Sequence, residues 1–144
     1  MIGKKARKMN YQEALELATY AHKGQKRVKT NEEYITHPIA IANKFEDEEY
    51  KIVSILHDVV EDTELTLDDL NKYGLQEDLL YMVDLLTHKE NQTYLDYLLC
   101  LDFEPMAKFI KIEDLKHNLI NPLSKCQEDK HKMALYILED LNDS

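Results

Sequence analysis

Along most of this chain the apolar residues recur three and four positions apart, the spacing of one helix face, and few residues interrupt the stripes. Ala14, Leu15, Leu17, Ala18 and Ala21 form the first stripe. Asn10 and Glu13 ahead of it read as a capping box, in which the asparagine caps the helix and the glutamate reaches back. Gly24 suits the left-handed position past its end. A second helix is predicted around Pro38, with Ile39, Ala40, Ala42, Asn43 and Phe45 following. Pro38 fits a first turn, where no amide proton is needed, and that sets His37 at or beside the cap. The third helix should start after Asp47 and run through Ile52, Val53, Ile55, Leu56, Val59 and Val60. It is apolar over most of its circumference, so it is expected to be the central, most buried one.

Thr66 should cap a short helix that Gly74 ends, and Leu79, Leu80, Met82, Val83, Leu85 and Leu86 make a fourth substantial helix up to about His88. Asn91 is expected to cap a fifth, with Tyr94, Leu95, Leu98 and Leu99 inward. Pro105 opens a sixth with Met106, Phe109, Ile110 and Ile112 in its buried stripe, and Pro122 marks its end. The last, from about Ser124, carries Met133, Ala134, Tyr136, Ile137, Leu138 and Leu141 and reads as a lid over the core. With three Gly and three Pro in 144 residues, helices are favoured over many short strands. The expected fold class is all-α: one compact helical bundle over 1–144, with a core at about 10–122 and a C-terminal packing helix at about 124–142.

One stretch of the third helix breaks the apolar pattern: Ile55-Leu56-His57-Asp58-Val59-Val60-Glu61-Asp62-Thr63. In a continuous helix His57 falls one turn from Glu61 and Asp58 one turn from Asp62, because residues four apart share a face. Like charges at that spacing repel by a few tenths of a kcal/mol per pair, about 0.2–0.5, so an opposite charge is called for, and a divalent metal supplies one. On this reading, removing Asp58 from a metal-free cluster should relieve repulsion, while removing it from a loaded one should destabilise. Further along, Asp114 precedes His117 by three and Asn118 by four, so all three can face one cleft. His37, His57, Asp58 and Asp114 form a dispersed set whose mixed N/O chemistry suits Mn, Fe or Zn better than a Mg or Ca cage. Glu61 and Asp62 are placed to order a water or take its proton. His131 sits among charges and is expected to be exposed.

Charge narrows the partners. With 28 acidic and 18 basic residues the formal net charge is -10, which argues against nucleic-acid binding. A small phosphorylated ligand stays open, because Lys23-Gly24-Gln25-Lys26-Arg27-Val28-Lys29 is a local basic run in which Arg27 offers a planar fork. No apolar run is long enough to span a membrane, and Met1 to Lys8 lead into no signal-like segment. Cys100 and Cys126 lack metal-site spacing and read as reduced thiols of a cytoplasmic protein.

Five segments, in order, resemble a known family: Ala21-His22-Lys23-Gly24-Gln25-Lys26-Arg27; Tyr34-Ile35-Thr36-His37-Pro38; Leu56 to Thr63; Val83-Asp84-Leu85-Leu86-Thr87; and Lys111-Ile112-Glu113-Asp114 with His117-Asn118. As a set they resemble the HD-domain phosphohydrolases, in particular the RelA/SpoT-type guanosine-3′,5′-bis(diphosphate) hydrolases and their small stand-alone members. The resemblance implies an all-helical HD fold and a Mn-type ion held by His37, His57, Asp58 and Asp114. It implies that Glu61 and Asp62 act on the attacking water. Lys26, Arg27, Lys29 and Asn118 would meet a phosphorylated purine nucleotide, with Arg27 against the base. The implied reaction releases pyrophosphate and GDP or GTP from the 3′-diphosphate, and a homo-oligomer is left open.

This chain also departs from the family pattern. Val28 follows Arg27 where a basic residue is usual, Asn31-Glu32-Glu33 replace a Gly-x-Pro, and Leu115-Lys116 replace Arg-Leu. The segment between Thr87 and Lys111 is short. These departures keep two further readings in play: an HD-type nucleotidase or phosphomonoesterase acting on another nucleotide, and a nucleotide-binding regulatory module without turnover.

Overall fold

The computed structural model describes residues 8–140, and the basic start and Leu141 lie outside them. The first helix, α1 (Tyr11–Ala21), begins with the expected capping box: Glu13 N donates to Asn10 Oδ1 at 2.8 Å, and Asn10 N donates to Glu13 Oε1 at 2.9 Å. Gly24 takes a φ of 88° just beyond it, where a side chain would be strained. Residues 25–34 then fold back on themselves. Arg27 N donates to Glu32 O at 2.7 Å, Tyr34 N to Gln25 O at 2.8 Å, and Asn31 turns the loop at a φ of 62°.

α2 (Thr36–Ala42) has His37 and Pro38 inside its first turn, one step further in than the cap position expected for the histidine. α3 (Glu48–Leu56), capped by Asp47, is the buried centre: Ile52, Val53, Ser54, Ile55 and Leu56 are all enclosed. It packs against α1 and α2 on one side and against α6 on the other. The structure departs here from one continuous helix. α3 stops at Leu56, Asp58 takes φ -99° and ψ -2°, and a separate turn, α4 (Val59–Asp62), follows. Neighbours on a regular helix point about 100° apart, so the break lets His57 and Asp58 turn toward one point.

α5 (Leu67–Lys72) starts at a second capping box, Thr66 with Asp69, and Gly74 follows it at a φ of 104°. α6 (Glu77–Leu86) buries Leu79, Val83 and Leu86. α7 (Tyr94–Asp102) is capped by Thr93 rather than Asn91, with Asp96 N donating to Thr93 Oγ1 at 3.1 Å. That shift of two residues turns the helix. Tyr97, Leu98 and Leu101 face inward, while Leu95 and Leu99 are exposed. α8 (Pro105–Asn118) buries Ala107, Ile110, Ile112 and Leu115 and leaves Phe109 exposed. α9 (Lys125–Asp140) starts where Ser124 Oγ accepts from Gln127 N at 3.1 Å. It packs on α7 and α8 through Ala134 and Leu138, with Met133 and Tyr136 outward.

The architecture is all-α, as the pattern requires. No helix among the described residues is long and apolar enough to cross a membrane. Both cysteines are free and exposed.

Candidate metal centre

Three elements meet at the inner end of α3. α2 supplies His37, the α3–α4 break supplies His57 and Asp58, and α8 supplies Asp114. One donor atom from each of the four lies within 4.8 Å of the others. His37 Nε2 is 2.7 Å from Asp114 Oδ1, and His57 Nε2 is 3.1 Å from Asp58 Oδ2 and 3.4 Å from Asp114 Oδ1. A cation about 2 Å from each ligand needs donors roughly 3–4 Å apart, and this group meets that with little adjustment. The residues fit a divalent ion on a second count. His57 Nε2 is fully buried and makes no hydrogen bond of acceptable geometry. Its other nitrogen, Nδ1, donates to Ser54 O at 2.6 Å, so Nε2 is the ring atom aimed at the group.

Electrostatics agree. Burial alone would push the His57 imidazole down, but Asp58 and Asp114 outweigh it and lift its pKa well above the ordinary range. Burial would raise Asp58, yet His57 draws it down to about 2. Asp114 is likewise held far below the carboxylate range, first by Lys111 and then by the two imidazoles, against the effect of burial. The four side chains favour positive charge at their centre. The pairing also reverses the expectation that Asp58→Ala would relieve repulsion in the metal-free state. Asp58 is paired with His57 and accepts the Tyr34 hydroxyl, so truncation leaves two buried groups short of a partner.

Three side chains support this group, of which the sequence placed only His117 on the same cleft as Asp114. Tyr34 donates to Asp58, Lys111 Nζ donates to Asp114 Oδ2 at 3.0 Å, and His117 Nδ1 lies 2.7 Å from His37 Nδ1. Lys111 was legible in principle, since it stands three residues before Asp114 on one helix. Tyr34 and His117 depend on contacts between distant segments.

A cleft of about 470 Å³ opens beside the group. Its walls include Lys26, Arg27, Lys29 and Asn118 together with Glu61 and Asp62, so the six residues expected to handle substrate and water share one space. Arg27 Nη2 donates to Asn118 Oδ1 at 3.2 Å, and Asn118 Nδ2 reaches Asp114 Oδ1 at 3.5 Å. Glu61 Oε1 accepts the His88 amide at 2.9 Å, and Gln25 Nε2 donates to the Asp62 carbonyl at 2.9 Å. Glu32 and Glu33 are exposed and absent from the walls, whereas Val28 lines the cleft. His131, expected to be exposed, is half-buried in the cleft wall with a Nδ1 that has no partner.

Partial burial, then the charges of Asp58 and Glu61, push Asp62 up to about 6. A raised carboxyl contributes stability below its unfolded pKa and loses it on ionising in the fold. Relative to Asp62→Asn, chelator-treated protein should therefore lose stability as pH rises from 3.8 to about 6. Denaturant titrations of both proteins across that window check it, and a gap that does not change with pH refutes it.

The helical arrangement, with the buried histidine–aspartate group gathered from three elements, matches an all-α HD-domain fold. A solved structure described as "A metazoan ortholog of SpoT hydrolyzes ppGpp and plays a role in starvation responses" has the same fold: TM-score 0.72 at 23% identity, over 90% of this chain and 83% of that one. In sequence the chain is similar to proteins named GTP pyrophosphokinase and guanosine-3′,5′-bis(diphosphate) 3′-pyrophosphohydrolase. It is 31% identical over 134 residues to the guanosine-3′,5′-bis(diphosphate) 3′-pyrophosphohydrolase of Borreliella burgdorferi, covering 81% of this chain and 20% of that protein. It is also 31% identical over 140 residues to a GTP pyrophosphokinase of Streptomyces antibioticus, covering 89% of this chain and 16% of the relative. The chain thus spans a fifth or less of the length of these relatives. No family model matches it.

Proposed function

We propose that the protein is a metal-dependent phosphohydrolase that removes the 3′-diphosphate of guanosine tetra- or pentaphosphate, giving pyrophosphate and GDP or GTP. The observation that carries this is the unpartnered, buried His57 Nε2 between two aspartates, beside a cleft with Glu61 and Asp62 on its wall. Among the relatives, some are named pyrophosphohydrolases and others pyrophosphokinases. A carboxylate pair next to a cation site supports hydrolysis, because water is a weak nucleophile until its proton is taken.

In this reading His37, His57, Asp58 and Asp114 hold the ion, and manganese is favoured by the two-imidazole, two-carboxylate set. When bound, the ion polarises a phosphoryl oxygen and lowers the pKa of a nearby water. Asp62, with its pKa near 6, is suited to accept the proton of the attacking water close to neutral pH. Glu61, fixed by the His88 amide, orders that water. The new bond joins the water oxygen to phosphorus, the phosphate ester bond breaks, and the proton held by Asp62 passes to the leaving 3′-oxygen. Arg27, steadied by Asn118, lies along the base, and Lys26 and Lys29 meet phosphate oxygens. The net charge of -10 argues against nucleic acid, while the basic Lys26, Arg27 and Lys29 in the cleft wall leave room for a small phosphorylated substrate. One domain and a cytoplasmic location complete the reading, the latter supported by two free thiols.

Manganese-loaded protein should release pyrophosphate from guanosine-3′,5′-bis(diphosphate), and excess chelator should stop it. Product analysis by ion chromatography checks this. Orthophosphate as the sole product would instead favour a nucleotidase, the reading that Val28 in the cleft wall supports.

A further inference from the structure

The two imidazoles of the donor group are braced differently. His57 gives its second nitrogen to a backbone carbonyl, Ser54 O at 2.6 Å. His37 Nδ1 instead lies 2.7 Å from Nδ1 of another imidazole, His117, with ring centroids 4.9 Å apart and planes tilted by 37°. Two nitrogens at that distance share one proton: one donates and the other accepts.

The direction follows from the opposite side of the His37 ring. His37 Nε2 points into the donor group, 2.7 Å from Asp114 Oδ1. Lending its lone pair to a cation means carrying no proton there, so a neutral His37 keeps its proton on Nδ1. It then donates to His117, which must present a bare Nδ1 and hold its own proton on Nε2. In the metal-free arrangement Nε2–H can donate to Asp114, and the shared proton then belongs to His117. Which arrangement holds is a joint property of the two rings.

We propose that His117 is a positioning residue that fixes the metal-binding tautomer and the ring angle of His37. An imidazole here does the work that a carboxylate, carbonyl or water does for most metal-binding histidines. Its place makes this economical: His117 stands three residues after Asp114 in the last turn of α8, so the helix that supplies one ligand also orients a ligand on α2. The inference rests on the ligand reading above and is independent of the substrate.

Two variants of the full chain separate the role from simple packing. His117→Phe keeps the ring and removes the acceptor, and His117→Asn keeps an oxygen near the position of Nδ1. Manganese titrations followed by electron paramagnetic resonance of the free ion should show His117→Phe weakened about 10–100-fold and His117→Asn restored most of the way. In zinc-loaded wild type, 15N spectra of the imidazoles should show His37 protonated at Nδ1 and His117 bare at Nδ1. Circular dichroism of the metal-free variants reports folding, and should His117→Phe not fold, His117→Asn and the wild-type spectra decide. Wild-type affinity in folded His117→Phe, or a proton on His117 Nδ1 in the loaded protein, overturns the inference alone. A wild type that binds no divalent ion overturns the ligand reading and this inference with it.

Discussion

Asp114→Asn should strip the protein of its ion and of much of its stability together. Asp114 faces both imidazoles with Oδ1 and Lys111 with Oδ2, and Lys111 is itself largely buried. Asparagine leaves that ammonium without a counter-charge, and breaking one side of a buried pair costs about 3–5 kcal/mol. Metal affinity should fall more than about a hundredfold, because even changes one shell further out cost about 10–100-fold. Calorimetric titration with manganese and denaturant unfolding with and without chelator measure the two losses. A Lys111→Met, Asp114→Asn pair should regain part of the stability and none of the affinity. Equal affinity in Asp114→Asn and wild type would falsify the ligand assignment.

Glu61→Gln should do the opposite: keep the ion and lose the reaction. Glu61 is no member of the donor group, and glutamine retains an oxygen for the His88 amide. Without the carboxylate that orders the attacking water for Asp62, turnover should fall, by as much as the factor of about 10²–10⁴ that positioned acid–base catalysis is worth. Single-turnover pyrophosphate release beside manganese titration tests both halves. A variant that turns over normally removes Glu61 from the reaction, and one that loses manganese redraws the ligand set.

Much of this was readable from the chain because it is local. The Asn10 capping box and the Thr66 cap need only residues three apart, and both form. His57 and Asp58 were legible as residues costly to bury in an apolar helix, and they do converge with His37 and Asp114. What failed was long-range. The break between α3 and α4 falls at His57 and Asp58, which converge there with residues from distant segments, and helix propensity does not encode that convergence. Leu95, Leu99 and Phe109 look like core in the sequence but are exposed, because the pitch of α7 and α8 is fixed by Tyr97, Leu101 and Leu115 against neighbouring helices. The Asn91 and Thr93 caps compete within two residues, and composition cannot choose between them. The Tyr34 and His117 contacts span 24 and 80 positions, beyond any periodicity.

The amide of Asn118 joins two tasks. Its oxygen holds the guanidinium of Arg27, and its nitrogen reaches the carboxylate of Asp114. On the proposed function, nucleotide recognition and cation retention share a hinge pin one side chain wide. A ligand that pulls Arg27 out of register is felt at the ion, and a change of ion is felt at the base. Variants at Arg27 and Asn118 will not sum as independent lesions, and nucleotide and cation will each report on the other's occupancy.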